Sequence, residues 1–281
     1  MTRQPPRFVF VAGLHRTGTS ILAQLIAGHP AVSAIENAPV PENEGCYLQG
    51  AIPHTAMHGR PGHYATDPEQ HHDESSRYNT LETKRRLLAD WTPWFDGEAV
   101  WRLEKSPVNL TRMRLYQQLF PTCQFVIILR HPQVMAAALG KWVDDDPVAL
   151  TAYALDAYDT LSRDLAFVHS ALVLRYEDLV RRPDALRKAA FAFLELPDRD
   201  PGIDFRNGNA DYDTPSAIDA GLARRMAEWG YAPGGRTLDW ATRCQHPLRA
   251  IRDGVSALAN PEPTTHISRP AEKEQGANVR Q

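Results

Sequence analysis

Cysteine is scarce: Cys46, Cys123 and Cys244 are the three in 281 residues, widely spaced and with no C-x-x-C pair. An odd, scattered set argues against a disulfide framework or a cysteine-built zinc site and fits a reducing compartment. No apolar run approaches the roughly 18 residues of a membrane span, and the opening MTRQPPRF has no apolar segment of the kind that directs secretion. The expectation is a cytoplasmic protein. Neither sign of charge is in excess. With 31 Lys and Arg against 34 Asp and Glu the net charge is −3, which excludes broad nucleic-acid binding but leaves room for a local basic pocket. Repeats and low-complexity tracts are absent. At 43% apolar content the chain can bury one substantial core. A single domain over 1–260 is therefore expected, with a lid-like insertion at 40–80 and a non-periodic, disordered tail at 261–281.

What is present is concentrated in residues 7–30, RFVFVAGLHRTGTSILAQLIAGHP. Residues 8–12 form a short apolar run of the kind found in strands buried on both faces. Residues 13–20 read G-x-x-x-x-G-T-S, the spacing of a phosphate-binding loop. From Thr19 onward Ile21, Leu22, Leu25 and Ile26 fall at helical spacing, and Gly28 with Pro30 supplies a stop. A helix N-terminus thus sits directly behind the loop, where backbone N–H groups and the positive end of the helix dipole favour an anion. Arg16, Thr17, Thr19 and Ser20 add one cation and three hydroxyls. Charge-assisted hydrogen bonds are each worth roughly 1.5 to 3 kcal/mol, so a phosphate or phosphosulfate is the natural guest. Thr19 stands where an NTPase places its lysine, which makes the loop poorly suited to ATP or GTP hydrolysis.

Farther along, a strand at 99–103 runs into E-K-S-P, which puts Lys105 at a strand's carboxyl end, and Pro107 opens a helix to 120. The apolar run 124–129 reads as a central parallel strand delivering Arg130 to the same sheet edge. Helices are expected at 81–95, 132–143, 147–169, 183–196, 218–229 and around 237–258, with a further strand at 172–174. Residues 175–178 read as a tie between layers rather than as chemistry. Histidines are dense between 46 and 79, but their spacing gives one i, i+4 pair, His54 with His58. The segment reads as a solvated loop with no metal expected.

LHRTGTS followed by an apolar helix and GHP, then EKSPVNL, then LFPTCQFVIILRHP, resemble the motifs of the PAPS-dependent sulfotransferases. PAPS is 3′-phosphoadenosine 5′-phosphosulfate. The resemblance covers roughly residues 7–196 and is closest to the branch of tyrosylprotein, carbohydrate and many bacterial enzymes. It implies an α/β fold of the P-loop NTPase type, a three-layer sandwich about a central parallel sheet. PAPS would be the co-substrate, without a metal. His15, Arg16, Thr17, Gly18, Thr19 and Ser20 would hold its phosphosulfate, and Arg130 its 3′-phosphate. Lys105 and Arg16 would stabilise the leaving group. The family's H-P-x-V segment is followed by two acids; this chain has Glu36 at the first and Asn37 at the second. Glu36 is then the expected base, with Glu104 as the alternative. Ala138 stands where the family has a phosphate-binding serine. The acceptor would be a hydroxyl or amine of a small molecule, glycan or lipid-linked compound. Two rivals remain open: a P-loop small-molecule kinase and a non-catalytic nucleotide-binding protein.

Overall fold

Alternation along β1 (Arg7–Gly13) decides the layering. Phe8, Phe10 and Ala12 enter one hydrophobic cluster, Val9 and Val11 another, so the strand is covered on both faces, as its unbroken apolar run requires. β4 (Gln124–Leu129) repeats the pattern, with Phe125, Ile127 and Leu129 on the first face and Val126 and Ile128 on the second. The computed structural model describes residues 6–53, 62–97 and 99–260. The expected tail at 261–281 and the His54–His58 pair lie outside them.

Five strands run parallel in the order β2 (Val32–Ala34), β3 (Trp101–Lys105), β1, β4, β5 (Ala171–Arg175). β8 (Arg243–Gln245) closes the β5 edge antiparallel. On the valine face lie α1 (Thr19–Ala27), α7 (Tyr176–Arg181), α8 (Pro183–Phe193) and α10 (Arg249–Ala259). On the aromatic face lie the short α2 (Gly45–Leu48), α3 (Leu81–Trp91), α4 (Met113–Leu119), α5 (Pro132–Leu139), α6 (Pro147–Leu165) and α9 (Ala220–Glu228). This is the three-layer α/β sandwich of P-loop type. From β1 the sheet extends through β3 to β2 on one side and through β4 to β5 on the other. The loop after β1 therefore opens at a topological switch point, where such sheets bind ligands.

The boundaries differ from expectation in ways that matter for the site. β3 ends on Lys105, which lies in register with Val11 of β1. The segment after Pro107 begins as a tight turn, Pro107–Thr111, and becomes α-helix only at Met113. Asn109 accounts for part of this, because its amide donates to the Val11 carbonyl and to Glu104 instead of facing solvent from a helix. The helix expected around 237–258 is replaced over its first half. A hairpin, β6 (Tyr231–Ala232) and β7 (Arg236–Thr237), turns through Gly234 and Gly235 at φ 79° and 73°, and β8 follows before α10 begins at Arg249. Paired left-handed glycines favour a hairpin turn.

Part of the 40–80 segment is packed into the core: Cys46, Ile52, Tyr64 and Ala65 belong to the aromatic-face cluster.

Candidate active site

Geometry in the loop explains its two glycines. A Cβ on Gly13 would lie 2.6 Å from the Ile128 carbonyl and from the Thr17 hydroxyl; Gly18 has φ 103° and would meet Tyr176 Cδ2 at 2.8 Å. Arg16, at φ 68°, takes the left-handed conformation without being glycine. The Thr17 hydroxyl donates to the Leu14 carbonyl at 2.7 Å and is buried, so it staples the loop from within. The other five expected anion ligands, His15, Arg16, Gly18, Thr19 and Ser20, share the wall of a cavity of about 310 Å³. From the 40–80 segment the buried Tyr64 hydroxyl donates to the Gly13 carbonyl at 2.6 Å, with the Pro107 carbonyl 3.0 Å away. Burial, and then the nearby Lys105 charge, hold the His15 pKa down at about 4. Its imidazole is neutral at physiological pH, packed edge-on against Tyr64 and Trp142.

Lys105 donates to Glu44 Oε1 at 3.0 Å, and both side chains are under a tenth exposed. Glu44 lines the loop cavity. Lys105 lines an adjoining groove of about 500 Å³ together with Ser20, Gln24, Glu36, Asn37 and Glu42. Ser20 and Glu42 border both spaces and are joined, the serine hydroxyl donating to Glu42 Oε2 at 3.1 Å. Asn37, Glu42 and Asn43 all have φ between 52° and 54°. Asparagine tolerates that region; Glu42 adopts it at a cost of order 1 kcal/mol. Burial raises the Glu44 carboxyl to about 7 against the pull of Lys105.

The two expected carboxylates are placed differently. Glu36 is exposed at the groove's rim and makes no hydrogen bond or ion pair among the described residues. Glu104 is fully buried on the opposite side of β3 from Lys105, as strand alternation requires. It accepts from the Gly45 N–H at 2.9 Å, the Asn109 amide at 2.6 Å and the Ser106 hydroxyl. Burial raises its pKa, and its lone pairs are occupied in fixing α2 to β3.

On the other flank Arg130 leaves β4 and lies between the loop and residues 206–212. Its Nε donates to Asn209 Oδ1 at 2.8 Å and its Nη1 to the Arg16 carbonyl at 2.7 Å, with Tyr176 stacked 4.6 Å away. Burial lowers its pKa. Tyr176 donates to the Arg206 carbonyl and accepts from the Gly208 N–H, which holds this segment in place. Arg16 donates to the Tyr212 hydroxyl at 3.3 Å and lies 4.9 Å from the Trp142 ring. Ala138 is buried inside α5. Residues 175–178 are a structural tie: Arg175 pairs with Asp178 at 2.7 Å and also reaches the carbonyls of Gly230 and Leu238.

Three residues of this arrangement escape sequence reasoning: Glu44, Tyr64 and Asn209. Glu44 is 61 positions from Lys105, and no motif read from the sequence marks it. Among the described residues no cluster of three His, Cys, Asp or Glu could hold a metal ion, and no helix is long and apolar enough to cross a membrane.

A sulfotransferase from Alicyclobacillus acidocaldarius is similar at a TM-score of 0.47 and 17% identity, over 81% of this chain and 96% of that one. The sulfotransferase domain of the Synechococcus PCC 7002 olefin synthase is similar at 0.45 and 16%, over 94% and 98%. Sulfotransferase STF1 from Mycobacterium tuberculosis H37Rv is similar at 0.43 and 17%, over 90% and 77%. No curated protein matches the chain significantly. The model of the sulfotransferase family matches residues 6–200, a span that takes in the anion loop, Lys105 and Arg130, and the chain belongs to that family.

Proposed function

We propose that the protein transfers the sulfuryl group of PAPS to a hydroxyl or amine of a small-molecule, glycan or lipid-linked acceptor, releasing adenosine 3′,5′-bisphosphate. One observation carries this reading: a buried lysine ends the strand beside an anion loop that has threonine in place of the NTPase lysine. Such a site has a cation for a leaving group but lacks the loop lysine that serves a nucleoside triphosphate.

In this scheme the loop N–H groups, with Arg16, Thr19 and Ser20, take the phosphosulfate, and Thr17 keeps the loop in shape. Neutral His15 offers a hydrogen bond without adding charge. Arg130 takes the 3′-phosphate, for which a guanidinium is well matched, and Ala138 contributes no hydroxyl there. Lys105 and Arg16 oppose the charge that grows on the bridging oxygen as sulfate departs, the kind of fixed electrostatic help that dominates phosphoryl and related transfers. The acceptor enters by the groove that Glu36 borders, walled in part by the 40–80 insertion. No metal is needed for these roles. A cytoplasmic setting suits the three free cysteines.

Incubation with ³⁵S-labelled PAPS and a panel of hydroxyl and amine acceptors tests the reading. Labelled sulfated product with release of the bisphosphate is expected. Phosphorylated product from ATP and magnesium, with no labelled product from PAPS, would favour a kinase instead.

A further inference from the structure

Lys105 is held by Glu44, and that pairing bears on the proton as well as on the charge. We infer that Glu44, not the rim carboxylate Glu36, is the base that takes the acceptor's proton. The inference rests on the sulfotransferase reading above and assigns one role within it.

Three observations carry it. Only one Glu44 oxygen is committed to Lys105. The other, Oε2, has as its partner among the described residues the Cys46 thiol at 3.9 Å, a weak sulfur contact that leaves lone pairs for a stronger donor. Next is position. Glu44 faces the loop cavity while its partner Lys105 faces the groove. The pair is thus the partition at which a hydroxyl arriving by the groove and a sulfuryl group held on the loop would come together. Last is basicity. Burial raises the Glu44 carboxyl, Lys105 lowers it, and Glu104 and Glu42 raise it again, leaving it at about 7. A general base works best when its pKa lies near the working pH. The rival carboxylates are less well provided: Glu104 spends its lone pairs on Gly45, Ser106 and Asn109, and Glu36 is exposed, with no hydrogen bond or ion pair among the described residues to orient it.

The step balances. The acceptor oxygen forms its bond to sulfur as its proton passes to Glu44. The bond from sulfur to the bridging oxygen breaks, and its electron pair stays on the 5′-phosphate. Protonation removes the charge by which Glu44 holds Lys105, so the ammonium is released toward the oxygen that has just become negative. Base and leaving-group stabiliser are then two states of one ion pair.

The test compares wild type, E44Q, E44D and E36Q as full-length proteins. It uses PAPS with 2-naphthol, whose hydroxyl stays protonated near neutral pH, and PAPS alone with water as acceptor. Calorimetric titration with adenosine 3′,5′-bisphosphate reports on folding and on the donor site. E44Q should lower kcat by about 100- to 10,000-fold and abolish the acidic limb of the kcat/KM profile near pH 7, with bisphosphate affinity within a few-fold. E44D should turn over more slowly but keep the limb, and E36Q should raise the acceptor KM while the limb stays. The assignment is overturned if rate and limb survive in E44Q, or if E36Q is the variant that loses them. It is also overturned if E44Q and E44D lose binding and turnover in parallel, which would make Glu44 a structural partner of Lys105 alone. Wild type that binds the bisphosphate no better than ATP and consumes PAPS with neither acceptor would instead sink the sulfotransferase reading.

Discussion

The two flanks of the anion loop are built on opposite electrostatic plans. On the β3 side the cation already has a carboxylate partner, Lys105 with Glu44, and a second carboxylate, Glu42, accepts from the Ser20 hydroxyl. On the β4 side Arg130 is met by neutral acceptors, the Asn209 amide and the Arg16 carbonyl, and by the ring of Tyr176. Arg16 likewise finds the Tyr212 hydroxyl and the face of Trp142. Neither arginine has a carboxylate partner among the described residues. Arg130 is buried whereas Arg16 is exposed, so it is Arg130, with only neutral partners, that keeps its charge at a cost that a bound anion would relieve. A cation paired with a carboxylate can instead exchange partners during a reaction. The first arrangement suits binding, the second chemistry.

Exchanging the two cations in turn breaks this comparison most directly. Arg130→Ala should weaken adenosine 3′,5′-bisphosphate by roughly 2 to 5 kcal/mol, the usual loss when a buried charge pair loses one member. Adenosine 5′-phosphosulfate, which lacks the 3′-phosphate, should barely respond. Equal losses in calorimetric titrations of both ligands would remove Arg130 from that role. Lys105→Ala should do the reverse, lowering kcat by about 100- to 1,000-fold while bisphosphate affinity stays within a few-fold. Steady-state rates set beside titration of the same variant check it, and parallel losses would place Lys105 in binding.

A smaller effect comes from the loop that both flanks share. Gly18→Ala puts a Cβ into a left-handed position and onto Tyr176 Cδ2, so it should cost about 1 to 3 kcal/mol in stability and loosen the grip on residues 206–212. Denaturant melts with and without bisphosphate measure both; an unchanged midpoint would show that the loop relaxes freely. The smallest effect is the pH response of a clasp between His71 and Asp164. His71 Nε2 lies 2.7 Å from Asp164 Oδ2, and that hydrogen bond raises the His71 pKa. A raised histidine contributes stability that is whole below its ordinary value of 6.5 and is lost as pH rises through the folded value. The melting temperature of wild type should therefore fall slightly more between pH 6 and pH 8 than that of His71→Gln. Parallel curves would show that the clasp carries no charge.

What could be read from the sequence is whatever contiguous residues decide. The loop, its strand and helix, Lys105 at a strand end and Arg130 after an apolar run are each spelled out within a short segment, where local spacing and backbone preference set the geometry. Glu44, Tyr64 and Asn209 could not be read in this way, because their partners Lys105, Gly13 and Arg130 lie 61, 51 and 79 positions away. Only packing of residues 37–53, 62–66 and 206–212 onto the sheet edge brings them together. Just before the expected helix at 237–258, Gly234 and Gly235 permit the left-handed turn of a hairpin that ends at Thr237. β8 then pairs with β5, and that tertiary contact overrides helical periodicity.

On the function proposed above, the loop and its flanks take a 3′-phosphorylated adenosine donor rather than a nucleoside triphosphate with magnesium. Calorimetric titration of the full-length protein with adenosine 3′,5′-bisphosphate and with ATP, each with and without magnesium, tests it most directly. Tighter binding of the bisphosphate is expected, indifferent to magnesium and selectively weakened by Arg130→Ala. Tighter, magnesium-dependent binding of ATP would contradict it.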